Sequence, residues 1–277
     1  MKGLVYSTLF KIVKSKPFMA WQMLLHGDLE YRIYRDMQFL LATAEQHRRV
    51  FPRFRNKHLG QDIVILACGP TLNDFQRIPN AIYIGVNRTI LSPKFDYCDY
   101  WFMQDFGNST PQEKEKYRSY RGNECIKFMG MANPVDTRWG FDPHAPSELE
   151  VHDAGAFKYY HDYNTGIKGW ESEFAYDLST MPLMNGGTIV FAALQFALWT
   201  NPRRIFLVGC DCTSSGHFYN ATESTGLPAG NALWNSYAKF KAFAANHYPQ
   251  TEIISVNPVG LKGLFKDWSQ KDGSSPS

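Results

Sequence analysis

The chain contains no G-x-G-x-x-G and no G-x-x-x-x-G-K-[ST] segment. Without either glycine fingerprint, a Rossmann dehydrogenase and a P-loop nucleoside triphosphatase are both disfavoured. Its five cysteines, Cys68, Cys98, Cys125, Cys210 and Cys212, form an odd set with no C-x-x-C spacing. That supports neither a disulfide framework nor a structural zinc site, and it suits a reducing cytosol. No run reaches the ~20 apolar residues that a membrane-spanning helix needs. The early apolar residues are broken by Lys11, Lys14 and Lys16 and no small-residue cleavage site follows them, so no signal peptide is expected and the cytoplasm is the expected location. There is no D-x-D motif, which fits chemistry without a metal.

What is present is enough apolar material for a large core: 277 residues, 44% of them hydrophobic. The net charge of +3 hides an asymmetry. The first sixty residues carry eleven Lys/Arg against four Asp/Glu, which leaves 18 against 22 for the remaining 217. Val5, Leu9, Ile12 and Val13 recur near helical spacing beside Lys2, Lys11, Lys14 and Lys16. This pattern fits a helix lying on a membrane surface through residues 1–20, and equally a basic helix packed on its own domain. A second helix is expected from about Leu29 to Arg48, with Tyr34, Met37, Leu40, Leu41 and Ala44 on the face that packs on the core or on a second subunit.

From Gly60 onward apolar runs alternate with helical patterns, which predicts an α/β fold: a mostly parallel, Rossmann-like sheet with helices on both faces. Strands are expected at Ile63–Ala67, Ala81–Val86, Tyr100–Met103, Cys125–Phe128, Arg204–Val208 and Glu252–Val256. The segment from about 130 to 181, rich in Pro, His and aromatics, reads as a lid over the sheet, with Trp139, Tyr159, Tyr160, Tyr163 and Trp170 suited to stacking on a sugar or to a lid core. The expected organisation is a basic helical segment over 1–59, a nucleotide-binding domain over 60–268 carrying that lid, and a disordered polar tail over 269–277.

Two blocks carry the candidate chemistry. The first is IVILACGPTL, from Ile63 to Leu72. A strand that breaks into Gly69-Pro70-Thr71 could let backbone N–H groups approach an anion at a sheet's carboxyl edge, and could equally be an ordinary strand-to-loop turn. The second runs from Asn185 to Asn220. Asn185-Gly186-Gly187-Thr188 opens a helix with Ile189, Val190, Ala193, Leu194 and Ala197 as its buried stripe. Its glycines either expose helix-terminal N–H groups to a phosphate or permit close helix–sheet packing. After the next strand, Gly209 precedes Asp211, which could orient a hydroxyl, hold a metal or cap its own loop. His217 is the best-placed general base, and Tyr219 could donate to a leaving phosphate. Cys210 and Cys212 would point to opposite faces if the strand continued, and read as packing.

The order of these motifs, with Val86-Asn87 after the second strand and Val256-Asn257-Pro258 before Leu261 and Phe265, resembles the bacterial CMP-sialic-acid-dependent sialyltransferases of glycosyltransferase family 42. It is similar, too, to a broader group that includes flagellin-glycosylation accessory proteins and 6-hydroxymethyl-dihydropterin diphosphokinases. The resemblance covers about Ile63 to Phe265. It implies that Gly69 and Thr71 line the nucleotide phosphate, that Asn87 contacts the CMP portion, that Gln104 and the Asn185-Gly186 pair stand at nucleotide positions, and that Tyr219 stabilises the leaving phosphate. Thr213 occupies the place of a second tyrosine and Leu183 that of an arginine, and no histidine lies between Thr222 and Trp234, where the family's catalytic one would fall.

The expected function is therefore an inverting, metal-independent glycosyltransferase. It would move a sialic acid-like or Kdo-like sugar from a CMP-sugar donor to a glycan or glycolipid acceptor, with no further cofactor and no nucleic-acid partner. A single phosphate leaving group needs less charge neutralisation than a diphosphate, so hydroxyl and backbone donors suffice. The alternatives are a diphosphokinase, for which Asp105 and Asp211 are the obvious strand-end carboxylates for Mg²⁺, and a non-catalytic nucleotide- or glycan-binding module.

Overall fold

Runs of Ile, Val, Phe and Tyr with few polar interruptions suit strands buried on both faces, because a parallel sheet is covered above and below. The computed structural model describes residues 17, 21, 37–92, 97–121, 124–132, 146–162, 173–213, 215–224 and 231–270. The sequence-predicted runs form the middle of a nine-stranded sheet. Its strands are β1 (Asp62–Leu66), β2 (Ile82–Val86), β3 (Tyr100–Met103), β4 (Ile126–Ala132), β5 (Phe157–Asp162), β6 (Leu183–Met184), β7 (Arg204–Val208), β10 (Glu252–Val256) and β11 (Lys266–Trp268). A separate antiparallel hairpin is made by β8 (Ser215–His217) and β9 (Asn220–Ser224).

The spatial order is β11-β10-β7-β1-β2-β3-β4-β5-β6, and every neighbouring pair in the sheet is parallel. The fold is α/β, as the alternating pattern predicts. Strands β1 to β6 extend the sheet in one direction, and the chain then returns to place β7 on the other side of β1. The loops leaving the carboxyl ends of β1 and β7 diverge at that reversal, and such a point is where open parallel sheets offer a crevice.

Alternation along β1 fixes the two core layers. Ile63 and Ile65 face one layer together with Phe102, Phe128 and Phe196, while Val64 and Leu66 face the other with Trp101, Phe206 and Ile254. The first layer is covered by the helices α1 (37–50), α4 (Val190–Trp199) and α5 (Asn231–His247), the second by α2 (Pro111–Ser119) and α3 (Glu148–Asp153). All ten residues of α4 are buried, so burial extends beyond the expected stripe to every face of the helix, Gln195 included. In place of long helices, β1 and β2 are followed by single 3₁₀ turns, Pro70–Asp74 and Asn87–Leu91, which keep the carboxyl edge open above them.

The structure corrects two sequence-level expectations. The stretch about 130–181 is not wholly a lid: β5 pairs in register with β4 (Tyr159 opposite Gly130) and α3 precedes it, while β6 adds a further strand just beyond the stretch. Tyr159 and His161 alternate into the interior at 0% and 1% exposure, so their aromatic character serves the sheet. Trp139, Tyr163 and Trp170 lie outside the described residues. In α1 the core face is Phe39, Thr43, His47 and Val50, spaced at helical intervals, whereas Met37, Leu40 and Leu41 are exposed, so of the two packings expected for that face the one on the core is not realised. The basic helix around Leu9, Ile12 and Val13 and the tail from 271 lie outside the described residues. No described helix is long and apolar enough to cross a membrane.

Candidate functional site

The loops after β1 and β7 are stitched to each other. The Gly69 N–H donates to the Gly209 carbonyl at 2.8 Å, and Asp211 accepts from the Thr71 N–H at 2.9 Å and from the Thr71 hydroxyl. Of the three roles open to Asp211, the geometry realises loop capping. The carboxylate is 6% exposed, and burial raises its pKa although the Thr71 hydrogen bonds oppose the shift. Gly69 is required sterically, since a Cβ there would lie 2.5 Å from the Asp211 carboxylate. Gly209, at φ +66°, would place a Cβ 2.5 Å from the Ala67 carbonyl oxygen. The Gly69-Pro70-Thr71 turn thus forms a wall at the crevice, but its N–H and hydroxyl donors are directed into the neighbouring loop and not outward as anion-binding groups.

The next wall comes from β2 and β3. Asn87 sits at φ +46°, a left-handed conformation that Asn tolerates better than most residues. Its amide joins two strands, donating to Asp105 at 2.9 Å and accepting the Gln104 N–H at 3.2 Å, while its carbonyl takes the Trp101 indole N–H at 2.8 Å. Gln104 itself is turned away: it is 6% exposed and packed so closely on Gly130 that a Cβ there would lie 2.8 Å from its Cγ. Arg88, which the sequence pattern did not mark, follows Asn87 and lines the cleft. Its Nε donates to Glu113 at 2.8 Å and its Nη1 to the Tyr219 hydroxyl at 3.4 Å. The hydrogen bond to Glu113 holds the guanidinium pKa above its ordinary value. Burial alone would raise Glu113, yet hydrogen bonds from Arg88 and the Thr110 backbone take it below the usual carboxylate value.

At the start of α4 the two readings of the glycines divide between them. Gly186 is steric, because a Cβ would lie 2.6 Å from the Phe191 ring. Gly187 adopts φ +99° and, with Thr188, Ile189 and Val190, presents the helix start to the cleft. Asn185 stands behind it and accepts the Gly187 N–H at 3.2 Å, an Asx turn. Leu183, where the resemblance would place an arginine, is fully buried in β6.

The β8–β9 hairpin forms the cover. The Phe218 N–H donates to the Cys68 carbonyl at 2.8 Å, and the Asn73 amide donates to the Phe218 carbonyl at 3.1 Å, so the hairpin is tied back to the β1 loop. His217 and Tyr219 stack on each other, centroids 5.0 Å apart and planes at 15°. Both line the cleft; His217 is half-buried and Tyr219 is 42% exposed. The strand does not continue past Val208, and Cys212 adopts φ +51°, so Cys210 and Cys212 face the same cleft together with Cys68. Burial pushes Cys68 and Cys212 up to about 12 and raises Cys210 well above its ordinary value, which keeps them as unreactive thiols at neutral pH.

These walls enclose a cleft of about 260 Å³ over the β1/β7 reversal. Of the residues singled out in the sequence, Gly69, Asn87, Gly187, Gly209, Asp211, His217 and Tyr219 line it; Pro70, Thr71, Gln104, Asn185 and Gly186 support it from behind. Asp105, Ser109, Thr188, Thr213 and Arg88 complete the polar lining. Among the described residues no group of three or more His, Cys, Asp or Glu side chains is arranged to hold a metal ion.

No protein-family model and no curated protein matches this sequence. Among solved structures, the chain is similar to the sialyltransferase CstII from Campylobacter jejuni in complex with cytidine-5'-monophosphate, at 15% identity over 71% of this chain and 80% of that one, with a TM-score of 0.36. It is also similar to that sialyltransferase in complex with a trisaccharide acceptor and CMP, at 16% identity over 70% and 80%, with a TM-score of 0.37. Likeness at this level speaks to neither substrate nor chemistry.

Proposed function

We propose that this chain is a glycosyltransferase that takes its sugar from a CMP-sugar donor, inverts the anomeric centre and passes the sugar to a glycan hydroxyl. The observation that carries this reading is the convergence of Asn87, Gly187, His217 and Tyr219 on one cleft at the sheet reversal, in the motif order that resembles the CMP-sialic-acid-dependent enzymes. The acceptor oxygen would attack the anomeric carbon as the bond to the CMP phosphate breaks. His217 would take the acceptor proton, and the Tyr219 hydroxyl would donate to the departing phosphate oxygen. CMP and the glycoside leave, and His217 returns its proton to solvent. The sugar is sialic acid-like or Kdo-like, and hydroxyl donors serve where a diphosphate would call for a metal.

Asp105 and Asp211 also line the cleft, which keeps a Mg²⁺-dependent diphosphokinase as the second reading. Asp211, however, is occupied by Thr71 and Asp105 accepts from Asn87. A binding module without chemistry is the third reading; the buried, Thr71-bound Asp211 suits it, while the stacked His217–Tyr219 pair on the cleft wall favours the transferase.

A thermal-shift panel of CMP, CDP, UDP, GDP and ATP should show a selective rise with CMP; a flat panel, or preference for ATP lost with EDTA, overturns the transferase reading. CMP release from CMP-sialic acid or CMP-Kdo should fall by about 10²–10⁴-fold in His217→Ala, the range a positioned base supplies, while CMP still raises the melting temperature. Near-normal turnover in that variant would eliminate His217 as the base.

A further inference from the structure

Arg88 is the only lysine or arginine among the described residues that line the cleft. It is also held in one orientation. Nε and Nη2 face the two Glu113 oxygens at 2.8 and 3.5 Å, so one edge of the guanidinium fork is taken. Nη1 reaches the Tyr219 hydroxyl at 3.4 Å, and the guanidinium carbon lies 5.6 Å from the Tyr219 ring centroid. Glu113 is fixed in turn by the α2 capping box: it accepts the Thr110 N–H at 2.8 Å, and its own N–H donates to the Thr110 hydroxyl at 3.2 Å. The planar fork is therefore anchored on its outer edge and presents Nη1 beside the Tyr219 hydroxyl, the arrangement that grips phosphate oxygens with directional, charge-assisted hydrogen bonds. The donors of the Gly69-Pro70-Thr71 turn are consumed by Gly209 and Asp211, so that turn does not compete with the β2 side of the cleft for an anion.

We propose that Arg88 is the anion-binding and specificity-determining residue of this cleft, taking the phosphate of a nucleotide ligand together with the Tyr219 hydroxyl, and that Glu113 is the positioning residue that holds the fork. This rests on the cleft being a nucleotide site. It goes further in assigning the phosphate to the β2–α2 side, through an arginine, in place of the glycine turn.

The test compares a nucleoside with its own monophosphate, so that the phosphate contribution is isolated. Wild-type protein should bind CMP at least ~30-fold more tightly than cytidine by calorimetry, the scale of a hydrogen-bonded charge pair. Arg88→Gln should bring CMP to within ~3-fold of cytidine and leave cytidine affinity unchanged, which also shows that the variant is folded. Arg88→Lys should recover only part of the ratio, since an ammonium cannot use Glu113 and the phosphate bidentately. Glu113→Gln should lower CMP affinity by ~5–10-fold without moving cytidine, and should steepen the loss of binding with salt. A CMP-to-cytidine ratio preserved in Arg88→Gln overturns the assignment. If the wild type ignores CMP but binds another nucleotide of the panel, the CMP reading fails, and the same nucleoside–nucleotide comparison on that base decides Arg88 independently. If no nucleotide binds, both fall.

Discussion

Between pH 7 and pH 4 the protein should lose several kcal/mol of folding stability, and buried histidines should account for most of it. His47 is 0% exposed on α1. Its Nδ1 lies 3.1 and 2.9 Å from the Leu178 and Met181 carbonyls, and its Nε2 lies 2.8 Å from the Tyr160 N–H. Nδ1 must therefore be the donor and Nε2 the acceptor, a pattern open only to the neutral ring. Burial lowers His47 to about 4, although the two carbonyls pull the other way, and burial alone lowers His161 to about 3. The unfolded chain takes up these protons near pH 6.5 while the native one refuses them, so stability falls as the pH drops from about 6.5 toward 4 and below. At 1.36 kcal/mol per pH unit this is roughly 3 kcal/mol for His47 and somewhat more for His161, a large share of the ~5–15 kcal/mol that a domain commands. Asp211, raised by burial, works in the opposite direction. Glu113, Glu150 and Asp177, all lowered, withdraw their contribution only nearer pH 4. Urea unfolding at pH 7, 6 and 5 should give a midpoint that falls steadily, and His47→Gln, which keeps a donor and an acceptor but cannot charge, should flatten the slope. A midpoint unchanged from pH 7 to 5 would contradict the neutral-clasp assignment.

That clasp also shows where sequence reasoning reaches its limit. Tyr100–Met103, Arg204–Val208 and Glu252–Val256 match the observed strands residue for residue, because a strand covered on both faces must be apolar throughout and is therefore conspicuous. Strand β5, FKYYHD, was not conspicuous: its interior positions are Tyr159 and His161, and its outward Lys158 pairs with Glu148 at 2.5 Å. In α1 the buried face includes Thr43 and His47 while Met37, Leu40 and Leu41 are exposed, so hydrophobic spacing does not mark the face that meets the core. Burial there depends on hydrogen bonds to residues more than a hundred positions away. The same reason hid Arg88. Asn87 was legible as a residue at the end of a strand, but its neighbour gains meaning only once Glu113 and Tyr219, 25 and 131 positions along the chain, are folded against it. The Gly69-Pro70-Thr71 turn is legible as a turn, but which of its two readings holds is not: which way Thr71 donates is decided by Asp211, 140 residues downstream.

Gly69→Ala should be a strongly damaging small substitution at the cleft, and Asp211 should determine by how much. The new methyl would lie 2.5 Å from an Asp211 carboxylate oxygen and nearer still to the Gly209 carbonyl. Neither neighbour can yield easily. The Gly209 carbonyl accepts the Gly69 N–H at 2.8 Å, and the Asp211 carboxylate is held by Thr71 while its carbonyl accepts the Gly260 N–H at 2.8 Å. The β1 and β7 loops must move apart, at a cost of about 3 kcal/mol or more for overpacking against fixed groups. In a chain of this size that lowers the melting temperature by roughly 6–12 °C. Asp211→Ala acts differently. It leaves the Thr71 N–H and hydroxyl without their acceptor, a loss of about 1–3 kcal/mol, but it also removes one of the two groups that the Gly69→Ala methyl would strike. The double variant should therefore be more stable than the sum of the single effects by about 1 kcal/mol or more, and rescue should be partial because the Gly209 carbonyl remains in place. Denaturant unfolding of the four proteins measures that coupling. If the crevice walls hold a nucleotide, its thermal shift should shrink in step with the loop displacement: largest in wild type, least in Gly69→Ala, intermediate in the double variant. Strict additivity, or a Gly69→Ala protein as stable as wild type, would show that the two loops are not the rigid pair that shapes the cleft.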